Sequence, residues 1–414
     1  MNKPAENKRR EPSGRGSFLA LPPSIWALGF VSMFMDISSE LIHSLLPVFM
    51  ATVLGASMTT IGLIEGVAEA TAAIAKVFSG ALSDYLGKRK WLAALGYGLA
   101  AITKPIFPLA TSIGWVFTAR FIDRIGKGIR GAPRDALVAD ITPNGLRGAA
   151  YGLRQSLDSL GAFLGPLLAV ILMAWLADDI RAVLWVAVVP AAIAVALLVF
   201  GVREPVSQEG MHDKRRPLSF VDIRSLSLRY WHVVMLGAVF TLARFSEAFL
   251  VLRAEDVGLA LGYVPLVLVI MNITYTATAY PAGVAADRLS QRSLLIAGLV
   301  VLVTADLVLA AATSFWYALF GAALWGLHMG LTQGLFSKLV ADSAPAELRG
   351  SAFGVFNLIS GGALLLASVI AGALWNVFGA SATFLAGAAF ALVAIFGLLT
   401  YRARSRDNAH GSAS

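Results

Sequence analysis

The chain has 414 residues, 57% of them hydrophobic and 14% charged, with a net charge of +8 and no cysteine. An average soluble domain carries about 25% charged residues, so one or two globular cores cannot hide this much apolar surface, and lipid is the expected solvent. Without cysteine there are no disulfides, thiolate metal sites or cysteine nucleophiles.

Taken in chain order, apolar runs near the ~20 residues that cross a bilayer alternate with short polar breaks. They predict helices over 24–51, 58–83, 91–111, 113–139, 148–174, 181–202, 231–253, 260–286, 293–312, 315–341, 349–377 and 381–402. Helices suit this solvent because each satisfies its own backbone. The first segment is too long, and "LPPS" too unlike a small-residue cleavage site, for a cleaved signal peptide. Residues 1–16 and 403–414 read as tails, 203–229 as a polar linker, and 17–202 and 230–402 as two bundles.

Lysine and arginine collect in every second break: Lys88 to Lys90, Lys127 to Arg147, Arg203 to Arg229, Arg288 and Arg292, Lys338 and Arg349, and both tails. By the positive-inside rule the termini face the cytoplasm and the helix count is even. The positive charge is therefore a topology signal, and no nucleic-acid partner is expected.

The chain also repeats itself. "VADITPNGLRGAAYG" at 138–152 returns as "VADSAPAELRGSAFG" at 340–354, and "GALSD" at 80 returns as "GVAAD" at 283. Two similar bundles with a substrate site between them near the midplane is a transporter architecture. The stretch "GALSDYLGKRK" at 80–90, with Gly80, Asp84, Gly87, Lys88 and Arg89, resembles the loop signature that the major facilitator superfamily carries between helices 2 and 3. Tyr85 departs from the usual cation, and a weaker copy holds Asp287 between helices 8 and 9. The resemblance covers the whole chain. It implies twelve helices in two pseudo-symmetric six-helix bundles, and a latch at this loop that Arg134 and Asp135 would join.

Ionisable residues inside lipid are costly, so each is a functional candidate. In "FMDISSELIHSLLP", Asp36, Glu40 and His43 share one helix face. Two acids so placed repel, as a proton carrier requires, and the resemblance adds that multidrug–proton antiporters often carry a helix-1 carboxylate. On helix 2, Glu65 is expected near the outer surface, and Glu69 is expected to pair with Lys76 or line a water path. On helix 4, Arg120, Asp123, Arg124 and Lys127 share a face. Arg120 matches a superfamily arginine that the resemblance implies acts on proton transfer; a structural pairing of Arg120 or Arg124 with Asp123 or Asp158 is the alternative. Asp36, Glu40, Glu69, Arg120 and Asp123 are the expected proton-coupling residues.

The run Gly126, Gly128, Gly131 matches G-x-G-x-x-G, but a dinucleotide site needs a strand before it and a helix after it. Here the run lies in a membrane helix and is rejected. On helix 5, Gly161, Gly165 and Pro166 resemble the superfamily's antiporter motif in shortened form, expected to pack on the other half as part of the gate. Arg154 and Asp158 are expected to pair. Substrate-binding candidates are Arg124, Arg244, Glu247 (expected to pair with Arg244), Asn272, Tyr275, Trp325, His328 and Gln333. Asp306 has no evident local partner.

No catalytic constellation, cofactor motif or metal site is present, so no enzyme is expected. The expectation is a monomeric, multi-pass protein of a bacterial inner membrane, surrounded by lipid, that couples protons to a small molecule. Efflux of an amphipathic or cationic compound is the first reading. Transport of an anion such as an organic acid or metal chelate is the second, and a non-transporting sensor the third.

Overall fold

The computed structural model describes residues 21–86, 89–143, 146–203, 226–288, 290–345 and 348–400. Every regular element in them is helical. The first traverse is α1 (Pro23–Val48), continued by a turn of π-helix. The second is α2 (Met58–Leu86). The third is α3 (Arg89–Thr103) with the short α4 (Ile106–Leu109), and the fourth is α5 (Ile113–Ile141). The fifth is α6 (Arg147–Trp175), and the sixth is α7 (Ile180–Val186) with α8 (Val188–Ala196). In the second bundle α9 (Leu228–Leu242) and α10 (Ala248–Asp256) form the seventh traverse. Then come α11 (Leu266–Arg288), α12 (Gln291–Ala310), α13 (Phe315–Ser343), α14 (Arg349–Phe378) and α15 (Ala380–Thr400).

Three expected single helices are broken, and the reasons are local. Pro105 has no N–H to continue α3, and the break leaves Lys104 at the bend. The sixth traverse breaks at Ala187, whose carbonyl accepts from Ser38 Oγ at 2.7 Å. The seventh breaks over residues 243–247 with no proline or glycine. There the Ser246 N–H donates to Ser368 Oγ at 3.2 Å, and Ser246 Oγ accepts from the Ala248 N–H at 3.3 Å. Hydroxyls thus replace the lost helical bonds. Asp179, Ser227 and Ser290 cap helix starts by accepting from Ala182, Tyr230 and Ser293 N–H groups.

The repeat in the sequence is a repeat of contacts. Lys90 donates to the Val199 carbonyl at 2.8 Å, tying the third traverse to the end of the sixth. In the second bundle Arg292 donates to the Leu399 carbonyl at 2.6 Å, tying the ninth to the end of the twelfth. At the opposite end, Arg181 holds the Pro108 carbonyl at 2.6 Å and Arg253 holds the Leu309 and Ala312 carbonyls at 3.0 and 2.8 Å.

The apolar core shows how the bundles meet. One continuous cluster takes residues from both bundles at the end away from the chain termini, including Leu46, Phe49, Ile61, Phe249, Leu252 and Trp375, and runs on through the second bundle alone to Leu294 and Leu398. At the terminal end there are two separate clusters, one around Tyr97 and Leu137 and one around Tyr230 and Val340. The halves are therefore sealed together at one end and divided at the other. Among the described residues, eight segments are long and apolar enough by themselves to cross a membrane. Large apolar side chains such as Phe200, Trp175 and Phe396 stand exposed on the outside, where lipid contacts them. The chain is a multi-pass membrane protein.

Candidate transport pathway

The charges of α5 are placed by how closely that helix packs. Gly126 approaches α3 so nearly that an added Cβ would lie 2.6 Å from the Gly96 carbonyl; at Gly128 it would lie 2.8 Å from Ala72 O on α2. The glycine run that mimics a dinucleotide motif is thus a packing surface. It lets short and long side chains alike reach across to the neighbouring helices.

Arg120 donates to Glu65 at 2.7 Å, and both are buried, Glu65 at 0% exposure. This corrects the expectation of a solvated Glu65 at the outer surface. Arg124 pairs with Glu69 at 3.2 Å, so Glu69 is partnered by α5 and not by Lys76. Asp123 pairs with Lys104 at 2.9 Å, and Lys104 also donates to Ser39 at 3.0 Å. The expected pairing of Asp123 with an arginine is replaced, because Pro105 turns the end of α3 so that Lys104 enters the core. Lys104 escaped the sequence reading, although a lysine inside an apolar span is itself a signal.

On α1 the acids separate. Glu40 lies 3.4 Å from His43 Nδ1, and His43 Nε2 lies 3.7 Å from Glu65. Asp36 turns instead toward α6, where it lines one cavity wall together with Asp158. Arg130 stands 4.0 Å from Asp36 and lies over the Tyr97 ring at 4.8 Å. Arg134 bridges Asp135 at 3.2 Å, Asp158 at 3.6 Å and Ser32 Oγ at 3.0 Å. Arg154 reaches Asp158 at 3.9 Å, in line with the expected pair, and Asp135 at 3.7 Å.

Gly161 and Gly165 pack on α1 of their own bundle, not on the other half as expected. A Cβ at Gly161 would meet Met33 O at 2.5 Å, and one at Gly165 would meet Glu40 Cβ at 2.8 Å. Pro166 is buried in the same helix. Arg89 pairs with Asp140 and donates to the Ala136 carbonyl. Gly87 and Lys88, and the side-chain positions of Gly80, Asp84, Asp287 and Gln333, lie outside the described residues.

Two cavities open between the bundles. The larger, about 370 Å³, is lined from the first bundle by Glu40, His43, Glu69, Arg124 and Lys127. From the second it is lined by Arg244, Phe245, Glu247, Trp325 and Met329, among others. Arg244 and Glu247 sit in the break between α9 and α10, which points them inward. The expected Arg244–Glu247 ion pair is absent among the described residues; Arg244 lies 6.0 Å from the Phe240 ring centre. Lys127 likewise has no ion pair among the described residues. The smaller cavity, about 140 Å³, is lined by Asp36, Gln155, Asp158, Asn272 and Tyr275 with their neighbours. Asn272 also donates to the Ala162 carbonyl at 3.1 Å across the bundle seam.

His328 belongs to neither cavity's wall. It is fully buried, 2.8 Å from the Gly298 carbonyl through Nδ1, and stacks near Phe240. Asp306 is also fully buried, and neither carboxyl oxygen has a hydrogen-bond partner among the described residues.

Comparison with known proteins agrees with this architecture. The model of the Major Facilitator Superfamily matches residues 28–253 and 235–414. A protein of Methanocaldococcus jannaschii described as an uncharacterized MFS-type transporter is 31% identical over 90% of this chain and 93% of its own. The class C tetracycline resistance protein of Escherichia coli is 28% identical over 76% of this chain and 81% of its own. The crystal structure of the nucleoside transporter NupG superposes with a TM-score of 0.76 over 92% of this chain and 100% of that one, at 14% identity, a likeness of fold alone. Two bundles, a sealed end and a charged cavity between them are thus the frame of a secondary transporter, and the chain belongs to the Major Facilitator Superfamily.

Proposed function

We propose that this transporter is proton-coupled and moves a small organic molecule that carries both an anionic and a cationic or donor group. The observation that carries this reading is the balance of the 370 Å³ cavity. Glu40 is committed to His43 and Glu69 to Arg124. What stays available is Lys127 and Arg244 for an anionic group and Glu247 for a cationic one, with Phe245 and Trp325 for an apolar body. Charged hydrogen bonds in such a cavity orient a ligand, and the aromatic wall supplies most of its buried area. Proton coupling rests on the acids and bases that the first bundle keeps inside the membrane span. Asp36, Glu40, Glu69, Arg120 and Asp123 all belong to that set, and Glu65 and Lys104 join it.

Positive loops at the terminal end support cytoplasmic termini and an inner-membrane location. The cavity is then sealed on the outer side, and rocking of the bundles exposes it to either side. A second reading, export of an amphipathic cation, has support from Glu40 and Glu69 on the cavity wall and from the likeness to the tetracycline resistance protein.

Proteoliposomes with a pH-sensitive dye inside separate the two. The probes are phenylalanine, 2-phenylethylamine and 3-phenylpropionate, which share an aryl body and differ in charge. The dipolar probe is expected to drive proton movement best, and Arg244→Gln to weaken it. Proton movement driven by the amine alone and indifferent to Arg244 favours cation export and removes the dipolar reading.

A further inference from the structure

We infer that Asp306 is an anchor for an alkylammonium group, set behind the aromatic wall of the larger cavity and reached when the Phe245 ring turns aside. The inference rests on the cavity reading above and adds a second acid at its cationic end.

A buried polar group without partners is costly in an apolar core and calls for an explanation. Glu65 and Asp123, the buried acids of the first bundle, each face a cation. Asp306 on α12 is 0% exposed, and both of its carboxyl oxygens lack a partner among the described residues.

Its place is set against α15. An added Cβ at Gly387 would lie 2.7 Å from Asp306 Oδ2 and 3.0 Å from Phe245 Cε1. The carboxyl group and the edge of the Phe245 ring therefore meet over one point of α15, and the glycine keeps that point open. Phe245 also belongs to the wall of the larger cavity, where Asp306 has no place. The ring thus has the acid on one side and the cavity on another. It is carried by the break between α9 and α10, off the helical ladder, with Arg244 and Glu247 of the same break facing the cavity. Trp325, 5.3 Å from Phe245 ring to ring, walls the cavity too, and its Nε1 N–H is buried without a partner among the described residues.

The chemistry around the acid selects the ligand. A metal cation needs several further oxygen ligands, and no group of three acid or histidine side chains stands together among the described residues. The groups next to this acid are aromatic: Phe245, with Trp325 and Phe384 against it. An alkylammonium suits that set, because its N–H groups donate to the carboxylate while the cation lies against the rings. Glu247 receives the ammonium at the cavity surface, and Asp306 holds it once the ring has turned. A carboxylate without an ammonium has nothing to bind there.

The test uses the full-length protein in lipid nanodiscs and has two arms. The chain has no cysteine, so Asp306→Cys places a single thiol at the site. The probe 2-aminoethyl methanethiosulfonate is expected to modify it. Adding Phe245→Ala should speed that reaction roughly tenfold, because the open state is then the populated one. No modification in either protein, or one rate in both, overturns the inference. In the second arm calorimetry measures the binding of 2-phenylethylamine and 3-phenylpropionate. Asp306→Asn, nearly isosteric, is expected to weaken the amine roughly tenfold and leave the acid unchanged. Equal amine affinity in wild type and variant overturns the inference, as does an amine that fails to bind the wild type. An equal loss for both probes assigns Asp306 to packing and overturns it too. Each failure is distinct from failure of the transport reading, which shows as absent proton movement with the dipolar probe in the dye-loaded proteoliposomes.

Discussion

The two bundles share a fold and differ in what they bury. The first spends its interior on ion pairs: Glu65 with Arg120, Glu69 with Arg124, Asp123 with Lys104, and Asp158 with Arg134. The second buries aromatic rings in tilted and edge-on contact, Phe240 against Phe336 and Phe245 against Trp325 and Phe384, with Asp306 and His328 also buried. Their end contacts, Lys90 to Val199 and Arg292 to Leu399, are nevertheless matched. The same frame thus carries charge chemistry on one side and shape on the other. That division is the expected one if protons act mainly on the first bundle and substrate is gripped between both.

The sharpest way to break the comparison is to remove half of a buried pair. Arg120→Leu strands Glu65 in the core and is expected to cost roughly 3–5 kcal/mol, read as a lowered thermal unfolding midpoint in detergent. The double variant Arg120→Leu, Glu65→Leu should recover much of that loss, while proton coupling stays impaired. A comparable loss from Arg244→Leu, a cavity arginine of the second bundle without an ion pair among the described residues, would erase the distinction.

Next in size is Gly161→Val, which pushes α6 away from α1 and is expected to cost about 1–3 kcal/mol through overpacking. Gly152→Val on the same helix, where nothing lies within 4 Å of an added Cβ, should cost far less. For substrate, Arg244→Gln removes a charged hydrogen bond worth about 1.5–3 kcal/mol and should raise the half-saturation concentration roughly ten- to hundredfold. Smallest are the caps: Asp179→Ala in the first bundle and Ser290→Ala in the second should each cost about 1 kcal/mol. Equal costs are expected, since each cap accepts one N–H at 3.1 Å at an exposed helix start.

Much of this was legible in the sequence. Lipid-length apolar runs, the 138–152 and 340–354 repeat and the loop at 80–90 were enough for the helix count, the two bundles and the superfamily. Helical spacing also placed the acids and bases of the pathway on inward faces. Partners were not legible, because spacing reports only neighbours along one helix. Glu65 and Glu69 find theirs on α5, as does Asp36, and Asp123 finds its partner at the bend after α3. The packing direction of Gly161 was misjudged for the same reason: a small-residue face says that a helix comes close, not which helix. The inward turn of Arg244 and Glu247 depends on a helix break held by Ser246 and Ser368, with no proline or glycine to announce it.

The central claim is that Asp36, outside the substrate cavity, serves the proton, while Arg244 inside that cavity serves the substrate. Counterflow exchange in proteoliposomes tests it most directly, set beside gradient-driven uptake of the same probe in wild type and Asp36→Asn. Exchange without a gradient needs substrate binding and rocking but no net proton transfer. The account predicts that Asp36→Asn keeps exchange and loses gradient-driven accumulation, while Arg244→Gln weakens both. Loss of exchange in a folded Asp36→Asn protein, with substrate affinity lost as well, would contradict it and place the acid in the substrate site.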